Sequence, residues 1–270
     1  MKKLVLIAAL FAASHANAAV VLSGTGTINY SQNFDTLATG GAANVWTNDS
    51  TLTGWFLFNK SNAAVTTYAT DNGSSNTGSF YSFGASVGAI SDRALGGTAS
   101  GGAYFGSPAS GAVAGYIAAA FTNSTGVTLN SVTLGFDGEQ WRNGGNTSAQ
   151  AMVLQYGFGS SFASVVWTAP GGNFDWSSPV IGSTAAAVNG NAAGLASGKG
   201  GTLSNLSWDN NSTLWVRWVE NNDVGNDHGL AIDNFTLSVN AITTTVPESD
   251  TSAMILAGLG LMGFMARRRK

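Results

Sequence analysis

Glu139, Trp141 and Arg142 fall within one hexapeptide, Asp137-Gly138-Glu139-Gln140-Trp141-Arg142, whose residue types could act on a sugar. A carboxyl group can serve as acid or base in glycoside cleavage, an indole can stack on a pyranose ring, and a guanidinium can hold a carboxylate. Glycoside hydrolysis needs two carboxyl groups across the scissile bond, and Glu220 is the only other glutamate before Glu248. The competing expectation is structural: Trp141 packs in a core while Glu139 and Arg142 pair at a strand end. A second group is richer in oxygen. Asp223, Asp227 and Asp233, interspersed with Asn221, Asn222 and Asn226, crowd a short segment running into the last strand. Calcium takes six to eight hard oxygen ligands, backbone carbonyls included, so these three aspartates are the expected ligands of a structural calcium. No glutamate closes the segment at EF-hand spacing, and an Asn/Asp turn capped by its own side chains has the same composition.

Other chemistries are poorly supplied. Two histidines, His15 and His228, and no cysteine leave no thiolate metal site, no cysteine nucleophile and no disulfide frame. A Ser-His-Asp site would have to use His228, and no Gly-x-Ser-x-Gly elbow precedes a helical pattern. His228, between Asp227 and Gly229, reads as a polar loop residue, and no catalytic constellation is convincing. Eight tryptophans exceed what chemistry requires, and most should be core. Trp176, in Asn173-Phe174-Asp175-Trp176-Ser177, is expected to be exposed. Together with Trp141 and Arg142 it makes the candidate glycan contact.

The elements that must position these groups are strands. Thirty-six glycines and few prolines, with 28 aromatic residues, describe short strands joined by turns around a sizeable core. Val132, Leu134 and Phe136 alternate with small or polar residues, as do Met152, Leu154, Tyr156 and Phe158, and then Phe235, Leu237 and Val239. In 214–220, Leu214, Val216 and Trp218 face one side and Trp215, Arg217 and Val219 the other. Bulk on both faces predicts a central strand or a ligand-facing side. Residues 185–201, mostly Ala, Gly, Ser and Asn, read as a long loop. The fold class expected is all-β: an antiparallel, jelly-roll-like β-sandwich over residues 19–240, followed by a short linker at 241–245.

The termini differ from this body. Met1-Lys2-Lys3, an apolar run from Leu4 to Ala13, and Ala16-Asn17-Ala18 compose a signal peptide (1–18) with cleavage before Ala19. At the other end Val246-Pro247-Glu248 precedes 16 uncharged residues, Thr251 to Ala266, and then Arg267, Arg268, Arg269 and Lys270. An apolar run abutting terminal cations suits a membrane, with the cations on the cytoplasmic side. These blocks resemble the PEP-CTERM sorting signal of Gram-negative bacteria, with Ser249 in place of the second proline of the usual Pro-Glu-Pro. The resemblance implies signal peptidase and an exosortase-type processing enzyme as partners. It also implies a single hydrophobic helix (246–270) in the inner membrane before processing, and the cell surface or exopolysaccharide matrix afterwards.

The body is similar to β-domains often found ahead of such signals. The similarity rests on Asn33-Phe34-Asp35-Thr36-Leu37, Ser91-Asp92-Arg93-Ala94-Leu95-Gly96, Gly138-Glu139-Gln140-Trp141-Arg142 and Ile232-Asp233-Asn234-Phe235-Thr236-Leu237. It implies an extracellular domain whose role is binding or structural, with extracellular polysaccharide as a partner. The alternative is a polysaccharide hydrolase or lyase using Glu139 and Arg142. Without both signals the domain keeps five Lys and Arg against twelve Asp and Glu, a net charge of −7. That balance excludes nucleic acid as a partner of a basic patch.

Overall fold

The computed structural model describes residues 19–85, 92–100 and 103–242. The signal peptide with Ala16 and Ala18 lies outside the described residues. So do the sorting motif, the apolar helix and its cations (Val246, Pro247, Glu248, Arg267, Arg268 and Arg269). Ala19, the residue expected to begin the mature chain, is described and buried.

Among the described residues the regular structure is all-β apart from three short 3-10 turns. One sheet holds β8 (Ala112–Asn123), β14 (Thr213–Asn222), β10 (Ala151–Phe158) and β11 (Trp176–Ser177) in that order. The free edge of β8 is shared end to end by β1 (Val20–Leu22) and β4 (Trp55–Asn59). The second sheet centres on β9 (Val132–Asn143) and β15 (Gly229–Ala241). Beyond β9 lie β12 (Ala186–Ala187) and β13 (Leu195–Leu203). Beyond β15 lie β2 (Gly26–Gln32) and β7 (Ala94–Thr98), followed by β6 (Ser79–Phe83), β5 (Thr67–Asp71) and β3 (Asn44–Val45).

The two sheets face each other across aromatic rings. Trp218 of β14 meets Phe235 of β15 edge to face at 5.6 Å and Phe136 of β9 at 5.3 Å, while Trp55 of β4 meets Phe235 at 5.4 Å. Such T-shaped contacts place ring edges against the negative ring faces and favour a fixed side-chain arrangement. The alternation that predicted the strands therefore also selected the inward face. β14 is central, which is the first of the two expectations for a strand with bulk on both faces. Its outer face carries Trp215, covered by Phe56 and Phe162, and Arg217, whose guanidinium stacks 4.2 Å from Tyr116 and 4.0 Å from Trp167.

Two expectations need correction. The sheets are mixed rather than antiparallel, because β1 runs parallel to β8 and β5 parallel to β6. The chain leaves β1 for the opposite sheet before returning as β4, so no hairpin fixes its direction. Between β5 and β6 the connection from 72 to 78 is long enough to carry the chain back along a five-residue strand. Residues 185–201 are not a loop: β12 and most of β13 come from them. Their glycines serve close approach, since a Cβ on Gly194 or Gly200 would lie 2.0 or 2.1 Å from the carbonyl oxygen of Gln140 or Leu134.

Gly73 is the most constrained glycine. Its φ is +90°, and a Cβ there would lie 1.7 Å from the Trp141 carbonyl oxygen. Gly73→Ala is expected to destabilise the fold by more than about 3 kcal/mol, since strain and a backbone clash act together. Urea denaturation checks this; a midpoint equal to wild type would contradict the close approach.

Candidate functional site

The four segments that carried the similarity to extracellular β-domains converge midway along β15, where its partner along one edge changes from β7 to β2. Glu139 leaves β9 next to β15, where Ala231 pairs with Glu139 and Asp233 with Asp137. The pairing then slips between Asp233 and Thr236. At this slip Asn234 takes a left-handed φ of 50°, and its backbone N–H donates to Asp233 Oδ1 at 2.6 Å while its Nδ2 donates to Asp137 Oδ2 at 3.1 Å. The irregularity fixes the Asp233 carboxylate against the sheet. Asp92, just before β7, completes a set of three carboxylates whose offered oxygens all lie within 4.8 Å of one another. Asp35, following β2, accepts from the Arg93 backbone N–H at 3.0 Å, and Arg93 donates to the Ser82 hydroxyl at 2.9 Å and carbonyl at 2.6 Å.

Glu139 and Asp233 are buried and Asp92 is exposed. Glu139 accepts from the Trp141 indole N–H at 2.8 Å through Oε2. Its Oε1 and Asp233 Oδ2 are hidden from solvent with no hydrogen-bond partner. Burial pushes the Glu139 carboxyl up to about 7 against the lowering influence of Trp141, with Asp92 and Asp137 adding to the rise. Burial pushes Asp233 up to about 8, opposed by the Asn234 N–H and reinforced by Glu139, Asp92 and Asp35. Burial is the main cause of both rises, and the neighbouring carboxylates add to it, as like charges crowded out of water do.

A polar cavity of 320 Å³ opens between Asn76, Thr98, Ser100, Arg142 and the 222–227 turn. Arg142 Nη1 donates to the carbonyls of Gly73 and Ser74, both at 3.0 Å, which holds the guanidinium at the cavity wall. Thr98 Oγ1 and Arg142 Nε are buried without partners. Asp227 and Asn226 line the same cavity. Burial pushes the Asp227 carboxyl up to about 7, opposed by the Asp223 backbone N–H that it accepts at 2.7 Å.

The residues singled out from the sequence divide as follows. Trp141 is buried, stacked 6.1 Å from Phe83 and covered by Gly190, which leaves 1% of it exposed. Trp176, expected to be exposed, is only 3% exposed: it lies in β11 with its ring over Gly138, where a Cβ would collide at 2.3 Å. The Asn-Phe-Asp-Trp segment reads as polar, but Asp175 turns to cap the Leu154 N–H and releases Trp176 inward. Of the glycan trio Arg142 lines the polar cavity, Trp141 borders a separate, shallower pocket with Asn72, Ala85 and Val188, and Trp176 is packed in the core. The expected structural pair of Glu139 and Arg142 is replaced by Glu139–Trp141 and by Arg142 with the Gly73 and Ser74 carbonyls.

The expected calcium trio is not brought together. Asp223 and Asp227 meet in their turn, whereas Asp233 points to Glu139 and Asp92 further along the sheet. Strand pairing, not sequence proximity, decides this. His228 lies in the loop before β15, as expected, but is buried there. Its Nδ1 accepts from Gln140 Nε2 at 3.0 Å, which leaves the proton on Nε2 to donate to the Ser148 carbonyl at 3.3 Å. Burial holds its pKa below the usual imidazole range, and its hydrogen bonds tie β9 to the 144–150 segment. Sequence reasoning missed Asp92, Thr98 and Asn76 as members of sites. Only the similarity of the Ser91-to-Gly96 segment pointed towards Asp92.

Residues 245–270 match the PEP-CTERM protein-sorting motif. No curated protein matches the chain. The motif implies export, processing by exosortase and sorting to the surface of a Gram-negative cell. With the sandwich ahead of it, the chain is a PEP-CTERM protein that carries a β-domain.

Proposed function

We propose that this protein is a non-catalytic binding module of the cell surface or exopolysaccharide matrix, and that the cavity beside Arg142 takes a saccharide unit. The domain is a sandwich of the jelly-roll kind: from β8 onward the chain alternates between the two sheets, β8, β10 and β14 in one, β9, β13 and β15 in the other. The observation that carries the binding reading is the cavity's supply of hydrogen-bonding groups. Asn76 and Asn226 are exposed there, and Arg142 and Asp227 add a donor and an acceptor. A volume of 320 Å³ falls at the lower end of small-ligand sites and suits one or two sugar rings. Binding rests on hydrogen bonds, because no tryptophan lines the cavity.

Glycan-array screening of the purified protein, followed by calorimetry on the best hit, tests this reading. Asn76→Ala combined with Asn226→Ala is expected to weaken binding roughly tenfold or more, since each lost hydrogen bond is worth about 1 kcal/mol. The melting temperature should not move, because neither side chain has a structural partner. Absence of any glycan binding, or affinity untouched by the double variant, would defeat the proposal. Turnover of a matrix polysaccharide abolished by Glu139→Gln would instead establish the hydrolase or lyase reading.

A further inference from the structure

We propose that Asp92, Glu139 and Asp233 bind one calcium ion, which ties the segment leading into β7 to the paired strands β9 and β15. Two oxygens on the same calcium, each at 2.3–2.6 Å, can stand at most about 5 Å apart. The oxygens offered by the three carboxylates lie within 4.8 Å of one another, so one ion reaches all three.

Acidic residues often gather on a surface without a ligand, but two of these are not on the surface. Glu139 is 1% exposed and Asp233 is fully buried. Each has one oxygen engaged, by the Trp141 indole and the Asn234 N–H respectively. The second oxygen of each, Glu139 Oε1 and Asp233 Oδ2, is sealed from water and unpartnered. A buried acceptor without a donor costs about 1–3 kcal/mol, and more when charged. Both residues belong to the carboxylate cluster with Asp92, and one cation bound there would give a partner to such oxygens.

The donor set selects the ion's class. Oxygen ligands with neither imidazole nor thiolate favour calcium or magnesium over zinc and copper. Calcium fits better than magnesium, because the exposed Asp92 side leaves room for waters to raise the coordination number above three protein ligands. Magnesium demands a near-ideal octahedron and sheds its waters reluctantly. The ion would lie away from the Asp223–Asp227 turn, and it does not depend on the saccharide reading of the cavity.

Isothermal titration of the purified full chain, stripped with EDTA and then given calcium chloride, tests the site alongside thermal melts. One calcium per chain and a raised melting temperature are expected. Asp92→Asn, at an exposed position, should keep the fold yet lower calcium affinity about tenfold or more. Asp233→Asn should abolish binding at this site, with folding confirmed by circular dichroism. No calcium-dependent heat or melting shift would overturn the proposal. Binding unchanged in Asp92→Asn would place the ion elsewhere and overturn it equally. Magnesium acting as strongly as calcium would overturn the choice of ion.

Discussion

Glu220→Gln is expected to raise the stability of the protein at pH 8 and above while changing it little near pH 4.5. Glu220 belongs to β14 and turns inward, 4% exposed, toward Gly97 of β7. Its Oε1 has no partner. Burial, reinforced by Asp227 and then Asp223, pushes the carboxyl up to about 8 from its ordinary 4.5. Between those values the folded chain keeps the proton and the unfolded chain has lost it, so the unfolded state binds fewer protons and stability falls as pH rises. The contribution is intact below 4.5 and is lost by the time pH passes 8. At about 1.4 kcal/mol per pH unit, the limb amounts to at most about 5 kcal/mol. Glutamine keeps the shape and never ionises, so the variant should lack this limb. Asp227 and Glu139, pushed up to about 7, and Asp233, pushed up to about 8, leave it a shallower residual slope. His228 acts in the opposite sense: its lowered pKa makes stability fall as pH drops below the usual imidazole range. Chemical denaturation from pH 4.5 to 9 reads both limbs, and an undiminished alkaline slope in Glu220→Gln would exonerate Glu220.

Strand positions were legible where alternation was strong. The alternation of Met152, Leu154, Tyr156 and Phe158 became β10, and the last strand was recognised from Phe235, Leu237 and Val239 although it begins at Gly229. The early part of β15 was hidden because Asp233 and Asn234 interrupt the alternation at a slip in pairing. Residues 185–201 misled for a related reason. Glycine lowers strand propensity, yet here it lets β13 run against the β9 carbonyls where any Cβ would clash. The carboxylate site was half legible. Each of its segments stood out individually, but they are joined only by pairings between distant parts of the chain. Proximity in sequence grouped Asp233 with Asp223 and Asp227, and the register of β15 separated them. Trp176 was misjudged because polar neighbours suggest exposure, whereas they were capping a backbone and leaving the indole to the core.

Replacing Pro247 and Glu248 together by alanine is expected to leave residues 246–270 on the protein in cells that process PEP-CTERM substrates, while wild type loses them. The motif at 245–270 implies exosortase processing, and Pro247 and Glu248 stand at its start, ahead of the apolar run. The effect should be close to all or none, because a sorting signal that is not recognised is not cut. Retention should also change where the protein stays. Thr251 to Ala266 is 16 residues long and contains Gly258, Gly260 and Gly263, short of the roughly 20 residues that span a bilayer comfortably. Four cations at the end resist passage across the membrane, so the uncut variant should remain with the inner membrane rather than reach the surface. Mass spectrometry of the C-terminal peptide, with fractionation of the same cells, checks both consequences. A wild-type protein that keeps Arg267 to Lys270 at the cell surface would sink the disposable-signal reading and leave the tail as a permanent anchor. A variant trimmed like wild type would show that the cut does not depend on Pro247 and Glu248.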